Sequence, residues 1–245
     1  GMHKFIEAFE QVAKENGVKF IFNEEVLSFT KKDRKVSEVI TSKNTYESDI
    51  VISGADYQHT DQKLLNGHAN YKSKYWDSRV MAPSSLIFYL GVNKRLENVE
   101  HHNLFFDESL EKHGTEIYKK PKWPTAPLFY MCAPSKTDST VAPENCENLF
   151  FLIPIAPGIT DNEETREKYF SLLLERLEKR TGNNIKDNIV YKKSFCINDF
   201  KKDYNAFKGN AYGLANTLKQ TAIFKPTMKN KNLDNFYYTG QLTVP

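Results

Sequence analysis

The stretch Phe236–Tyr237–Tyr238–Thr239–Gly240 sets the tightest limit on what this chain can fold into. Four aromatic or β-branched residues in a row favour a buried strand. The glycine after them permits a turn, or a close approach that a side chain would block. A second stretch has the same form: Ile50–Val51–Ile52 is continuously apolar and ends in Ser53–Gly54–Ala55–Asp56. A buried strand that ends in small residues leaves its carboxyl edge open to approach. That edge is where ligands sit in α/β sheets. A strand running into a glycine turn normally feeds another element, yet five residues follow Gly240. Gly1 precedes Met2 and is no initiator, so the expectation is a piece of a longer protein.

The rest of the chain alternates between the two periodicities. Residues 2–16 predict a helix with Phe5, Ile6, Phe9, Val12 and Ala13 on one stripe and Gly17 as a left-handed cap. Strands are expected at 18–22, 26–30, 36–41 and 46–53, the last three forming a meander around a charged turn at 31–34. A short helix is expected around 59–65. Residues 84–92, 103–106, 128–132, 148–155 and 189–197 read as strands. Helices are expected at 107–118, with Asp107 as N-cap, at 163–180, capped by Thr160 or Asp161, and at 198–205. The texture of the middle differs from that of the two ends, which predicts a domain inserted between two portions of another.

Composition excludes several classes. The net charge of +3 comes from scattered lysine pairs rather than a basic patch, which argues against nucleic-acid binding. Three cysteines without a C-x-x-C pattern fit a reducing, cytoplasmic setting better than disulfides or zinc. No apolar run approaches the roughly 20 residues of a spanning helix. The 17 Phe and 13 Tyr suit either a thick core or an apolar ligand cavity.

Residue by residue, the chain offers no self-contained catalytic centre. His101, His102 and His113 invite a metal, but adjacent histidines on a strand point to opposite faces, so no metal site is expected. Ser53, Ser84 and Ser85 lack a nucleophile elbow. Glu24–Glu25 and Glu163–Glu164 read as exposed charges. The eleven glycines form neither G-x-G-x-x-G nor G-K-[ST], so nothing here cradles a phosphate alone. Tyr71, Tyr75 and Trp76, with Lys72, Lys74 and Arg79, read as an amphipathic packing helix or a membrane-surface patch.

The opening run GMHKFIEAFEQVAKENGVKFIFNEEVLSF, continuing to DIVISGAD, resembles the middle of bacterial phytoene desaturases, flavoenzymes of carotenoid formation. The closing run DFKKDYNAFKGNAYGLANTLKQTAIFKPTMKNKNLDNFYYTGQLTVP resembles that family's approach to its C-terminal flavin motif. The resemblance implies an α/β protein with an α+β insertion: part of a Rossmann-type FAD domain in residues 1–57 and 210–245, and a mixed-sheet substrate-binding domain in 58–209. It implies Val26 beside the adenine, Gly54 and Ala55 near the dinucleotide, and Thr239, Gly240, Gln241 and Thr243 at the turn that meets the flavin. The family more often has histidine where Val244 stands. Phe88, Phe129 and Phe150, with Tyr89, Tyr130 and Phe151, are implied to line an apolar tunnel for a polyene, from which hydride passes to FAD. Since the family's N-terminal G-x-G-x-x-G is not among these residues, this stretch alone is expected not to retain FAD and to be inactive. Contact with a membrane surface is a further implication, and oligomeric state is left open. The alternatives are a related flavoenzyme (carotenoid isomerase, retinol-saturase-like enzyme or amine oxidase) or a non-catalytic apolar-ligand or interaction module.

Overall fold

The computed structural model describes residues 2–243. Helix α1 (His3–Glu15) forms where the apolar stripe predicted it, but buries none of that stripe: Phe5, Ile6 and Phe9 are exposed. Residues 18–22, expected as a strand, are extended without a ladder. No described strand lies beside them, and Phe20 and Phe22 stack only on each other. Strands β1 (Val26–Lys32), β2 (Lys35–Thr41) and β3 (Thr45–Glu47) form the antiparallel meander. The strand expected over 46–53 is in fact two. Residues beyond β3 leave that sheet, and β4 (Val51–Ser53) joins another.

Helix α2 (Tyr57–His59) runs into a π turn at Thr60–Leu64, and α3 (Ser73–Asp77) follows. Then come β5 (Ser84–Val92), β6 (His102–Phe105), α4 (Leu110–Tyr118), β7 (Phe129–Cys132), β8 (Glu147–Ile155), α5 (Glu163–Thr181), β9 (Ile189–Phe195), α6 (Ile197–Tyr204) and β10 (Phe236–Tyr238). Five of these strands make one sheet in the order β6-β7-β8-β5-β9, every pairing antiparallel. The parallel pairing is β4 with β10, in register Val51–Phe236, Ile52–Tyr237 and Ser53–Tyr238.

Burial explains the large sheet. Along β8 every second residue is buried, as a strand with one covered face demands. The cover is α5, whose Tyr169, Phe170, Leu173 and Leu177 pack against Phe88, Phe129 and Phe151. Asn162, not Thr160 or Asp161, caps α5 by accepting from Thr165 N at 2.8 Å, and Gly182 closes it at φ 77°. Ser109, not Asp107, caps α4, because Asp107 is turned to Arg176 and Arg180 of α5.

Buried apolar residues fall into two clusters. One is drawn from residues 86–197. The other joins residues 29–81 to 214–242 and centres on Tyr57, Trp76, Leu233, Phe236 and Tyr238. Residues 58–81, expected on the substrate side, therefore pack with β4 and β10. Trp76 is fully buried and belongs to this core, while Lys72 and Lys74 of the same segment are exposed.

Candidate functional site

A cavity of about 690 Å³ lies where the two clusters meet. One wall is the carboxyl edge of the parallel pair: Gly54, Ala55 and Asp56 after β4, and Thr239, Gly240 and Gln241 after β10. The opposite wall is the uncovered face of the large sheet, with Ile87, Tyr89 and Phe195, joined by Phe200 and Tyr204 of α6. Bare backbone thus faces an apolar, aromatic surface. This follows from local sequence. Ser53 O accepts Thr239 N at 2.9 Å, which extends the pairing by one bond. Gly240 then takes φ 112°, open to glycine and strained for any side chain.

The small residues leave real space. A Cβ on Gly240 would meet nothing within 4 Å, and one on Gly54 would meet only Thr239 Cγ2 at 3.8 Å. Behind them the wall is rigid. Asp56 caps α2 by accepting His59 N at 3.0 Å and accepts Phe207 N at 3.1 Å. Burial pushes its carboxyl above the ordinary range, with the hydrogen bond from His59 N acting against that. Asn210 accepts Gly213 N at 2.7 Å and Gln241 Nε2 at 3.3 Å, tying the 210–213 loop to the turn after β10. Gly213 allows that approach: a Cβ there would sit 2.7 Å from Gln241 O.

Beneath this edge lies a buried polar network. Tyr57 and Tyr238 stack at 3.8 Å. Tyr238 Oη donates to Asp61 at 2.9 Å, and Asp61 also accepts the backbone N–H groups of Asn70 and Tyr71. Burial raises the Asp61 carboxyl, and it raises both tyrosines strongly. Sequence reasoning missed Asp56, Asp61, Asn70 and Asn210. An Asp at the N-cap position after a buried strand was the one usable signal, for Asp56.

Other expected residues lie elsewhere. Val26 is half-buried on β1, paired with Thr41 and packed on the second cluster, apart from the cavity. Thr243 is buried behind the turn, donating to Gly240 O at 2.8 Å. Val244 lies outside the described residues. Phe88, Phe129 and Phe151 do not line the cavity: alternation turns them to α5, and Phe88 meets Phe170 at 5.0 Å. The opposite face carries Tyr89, Phe150 and Tyr130 in an aromatic row, with centroid steps of 5.5 and 6.2 Å.

The histidines correct a second expectation. His113 is a core residue, its Nδ1 accepting Leu128 N at 3.1 Å and its Nε2 bonded to Pro154 O at 2.8 Å. His101 precedes β6 rather than lying within it. Strand alternation therefore does not separate it from His102, and the two rings sit 4.2 Å apart, beside Cys132.

A parallel strand pair whose bare carboxyl edge faces an aromatic antiparallel sheet across one cavity defines an α/β protein with a ligand-sized cleft at a strand edge. The chain belongs to the flavin containing amine oxidoreductase family, whose pattern it matches over residues 1–244. It is 37% identical, over its whole length and 50% of the relative's, to a carotenoid 3,4-desaturase of Haloarcula japonica. It is 28% identical, again over 50% of the relative, to a 4,4'-diaponeurosporene oxygenase of Staphylococcus aureus. Among solved structures, an oxidoreductase from Methanosarcina mazei superposes with a TM-score of 0.62 at 14% identity, covering 97% of this chain and 48% of that one, which supports the fold. The chain thus spans about half the length of the curated relatives it matches.

FAD is the cofactor of this family, and the cavity edge fits one end of it. The exposed backbone at Gly54 and Gly240 leaves room for a flat ring system to lie against the strand ends. The 245 residues hold no G-x-G-x-x-G to cradle a pyrophosphate.

Proposed function

We propose that this chain forms the substrate-binding domain and part of the FAD domain of a carotenoid oxidoreductase of the desaturase kind. Such an enzyme removes hydride from an allylic C–H bond of a long polyene, and the adjacent carbon then releases a proton to solvent as the new C=C bond forms. FAD, when bound, supplies the acceptor for that hydride. Gly54, Ala55, Thr239, Gly240 and Gln241 border the flavin, with Thr243 holding the turn from behind and Val26 beside the adenine. Tyr89, Phe195, Phe200 and Tyr204 hold the polyene, and Phe150 continues that surface.

The carrying observation is the cavity itself, with bare strand ends on one wall and the aromatic sheet face on the other. A polyene offers no group to polarise, so rate comes from orientation and water exclusion. That matches walls made mostly of rings and backbone, with Asp56 and Asp203 as their carboxylates. Asp56, the nearest carboxylate in the parallel edge, has both oxygens committed to backbone N–H groups, so it holds the wall.

The test is to express the intact polypeptide that contains this chain, reconstitute it with FAD and add an acyclic carotene. Lengthened conjugation by absorbance and chromatography is expected, without 18O uptake from labelled O₂. The resemblance to oxygenases at 28% identity supports a second reading, oxygenation of the same substrate class, and label in the product would establish it. Flavin reduction by an amine but not by any polyene would overturn both.

A further inference from the structure

We propose that His101, His102 and Cys132 form a binding site for one divalent cation of the zinc type at the free edge of the five-stranded sheet. One ring nitrogen from each histidine and the Cys132 sulfur lie within 4.8 Å of one another. The topology brings them together. His102 on β6 and Cys132 on β7 are cross-strand partners in the antiparallel register, and such partners carry their side chains on one face. His101 O accepts Ala133 N at 2.8 Å, so the bend before β6 stays attached to β7 and brings the second imidazole over the same spot.

The donor set has the chemistry of zinc: two borderline nitrogens and one sulfur, the mix that tetrahedral sites use. Three protein ligands leave a fourth position, and His102 is exposed, so water can fill it. Tetrahedral Zn²⁺ with bonds of about 2.0–2.3 Å needs donor separations of about 3.3–3.6 Å. The cluster must close by up to about 1.2–1.5 Å, within reach of side-chain rotation at a sheet edge.

The surroundings hold the rings as metal sites do. His101 Nδ1 lies 2.6 Å from Thr137 Oγ1, and His102 Nδ1 lies 2.6 Å from Tyr130 Oη. When Nδ1–H donates to the hydroxyl oxygen, Nε2 keeps its lone pair for a cation, and the hydroxyl fixes tautomer and ring plane. Among the described residues, neither Nε2 has a hydrogen-bond partner. Binding would clamp β6, a four-residue edge strand held only by β7, to the rest of the sheet. The role is a structural staple rather than a part of the flavin-side chemistry, because neither His101, His102 nor Cys132 lines the cavity.

Cobalt titration of the purified intact polypeptide that contains this chain tests this, with Cys146→Ser and Cys196→Ser so that Cys132 is the one thiol left in this stretch. One equivalent of Co²⁺ should bind with a thiolate-to-cobalt charge-transfer band and tetrahedral visible bands, and Zn²⁺ should displace it. Cys132→Ser should abolish the charge-transfer band. His101→Ala and His102→Ala should each weaken binding at least tenfold while circular dichroism stays unchanged. Zn²⁺ should raise the melting temperature of the parent and not of Cys132→Ser. The proposal fails if no saturable band forms, or if the band survives either histidine change at full affinity. Binding at other residues only, unaffected by all three changes, also overturns it.

Discussion

Replacing Asp161 with alanine removes the acceptor on which two helices turn. Asp161 sits just before α5 with its side chain fully buried and takes Arg166 Nε at 2.8 Å and the facing guanidinium N–H at 2.6 Å. It also accepts Asn198 N at 2.8 Å, in the first turn of α6, the helix that brings Phe200 and Tyr204 to the cavity. Three charge-assisted bonds at about 1.5–3 kcal/mol each would overstate the loss, since one truncation removes a network and not three independent contacts. The better measure is the cost of stranding a buried partner, about 3–5 kcal/mol. Asp199 also reaches Arg166, at 2.8 Å, and remains to pair it. The expected destabilisation is therefore near the lower end, about 3 kcal/mol, by urea unfolding at pH 7. Although burial acts against ionisation, the Arg166 and Asn198 hydrogen bonds hold the Asp161 carboxyl below its usual range. A depressed folded pKa gives stability present above the unfolded value, near 3.8, and lost as pH falls through the folded one. The gap between parent and Asp161→Ala should thus narrow below about pH 4. A loss under about 1 kcal/mol, or a gap that does not change with acid, would refute the reasoning, as would a double-mutant cycle with Arg166→Met showing no coupling.

Gly209→Ala should cost about 2 kcal/mol or more in denaturant melts, because its φ is 64° and the new Cβ would lie 2.6 Å from Ile197 O. Phe88→Ala should destabilise by about 3–5 kcal/mol through a cavity against α5. Tyr89→Ala, 40% exposed on the opposite face, should change melting little but weaken turnover of a carotene by the intact protein. Burial raises the Asp61 carboxyl, so its contribution is full below the unfolded value near 3.8 and lost as pH rises through the higher folded one. Asp61→Asn should flatten the stability slope in that window, measured by urea melts at stepped pH.

What was legible in the sequence was whatever depends on neighbours along the chain. The apolar run at 86–92, with two serines before it, gave β5 to the residue, and the Asn/Asp-rich entry to α5 gave its start within a residue or two. The small residues at 54–55 and 239–241 were legible as an open strand edge because glycine has few other reasons to follow a buried strand. Partners far along the chain were not legible. Residues 18–22 have strand composition but no ladder to join. Asp107 has the type and position of an N-cap but is turned to two arginines some 70 residues on, at 176 and 180. Phe88 and Phe150 look alike in sequence, and only the pairing of β8 with β5 and the position of α5 decide which face is core. The histidine pair was misjudged for the same reason: period-two alternation separates neighbours only where both lie within the strand.

The two faces of the large sheet differ sharply in how they are covered. On the α5 side, Phe88, Phe129, Met131 and Phe151 are at most 2% exposed, close-packed and intolerant of volume change. On the other side the same strands present Tyr89, Tyr130 and Phe150 only partly covered, a surface that forgoes burial to keep an aromatic row accessible beside the cavity. Since alternation assigns successive residues to opposite faces, a single-residue slip of β8 would exchange its two sets, exposing Phe151 and burying Phe150. The register Phe88–Phe151 and Tyr89–Phe150 is guarded against that slip. Glu147, at the first position of β8, is buried and held by Leu96 N at 3.2 Å, with Arg95 and Lys136 each at 3.3 Å. Shifted by one, that carboxylate would lose these partners and the Ser135 hydroxyl that also donates to it, or leave an apolar neighbour facing them. The charged anchor at the strand's start thus fixes which face of the sheet Phe150 and Phe151 each take.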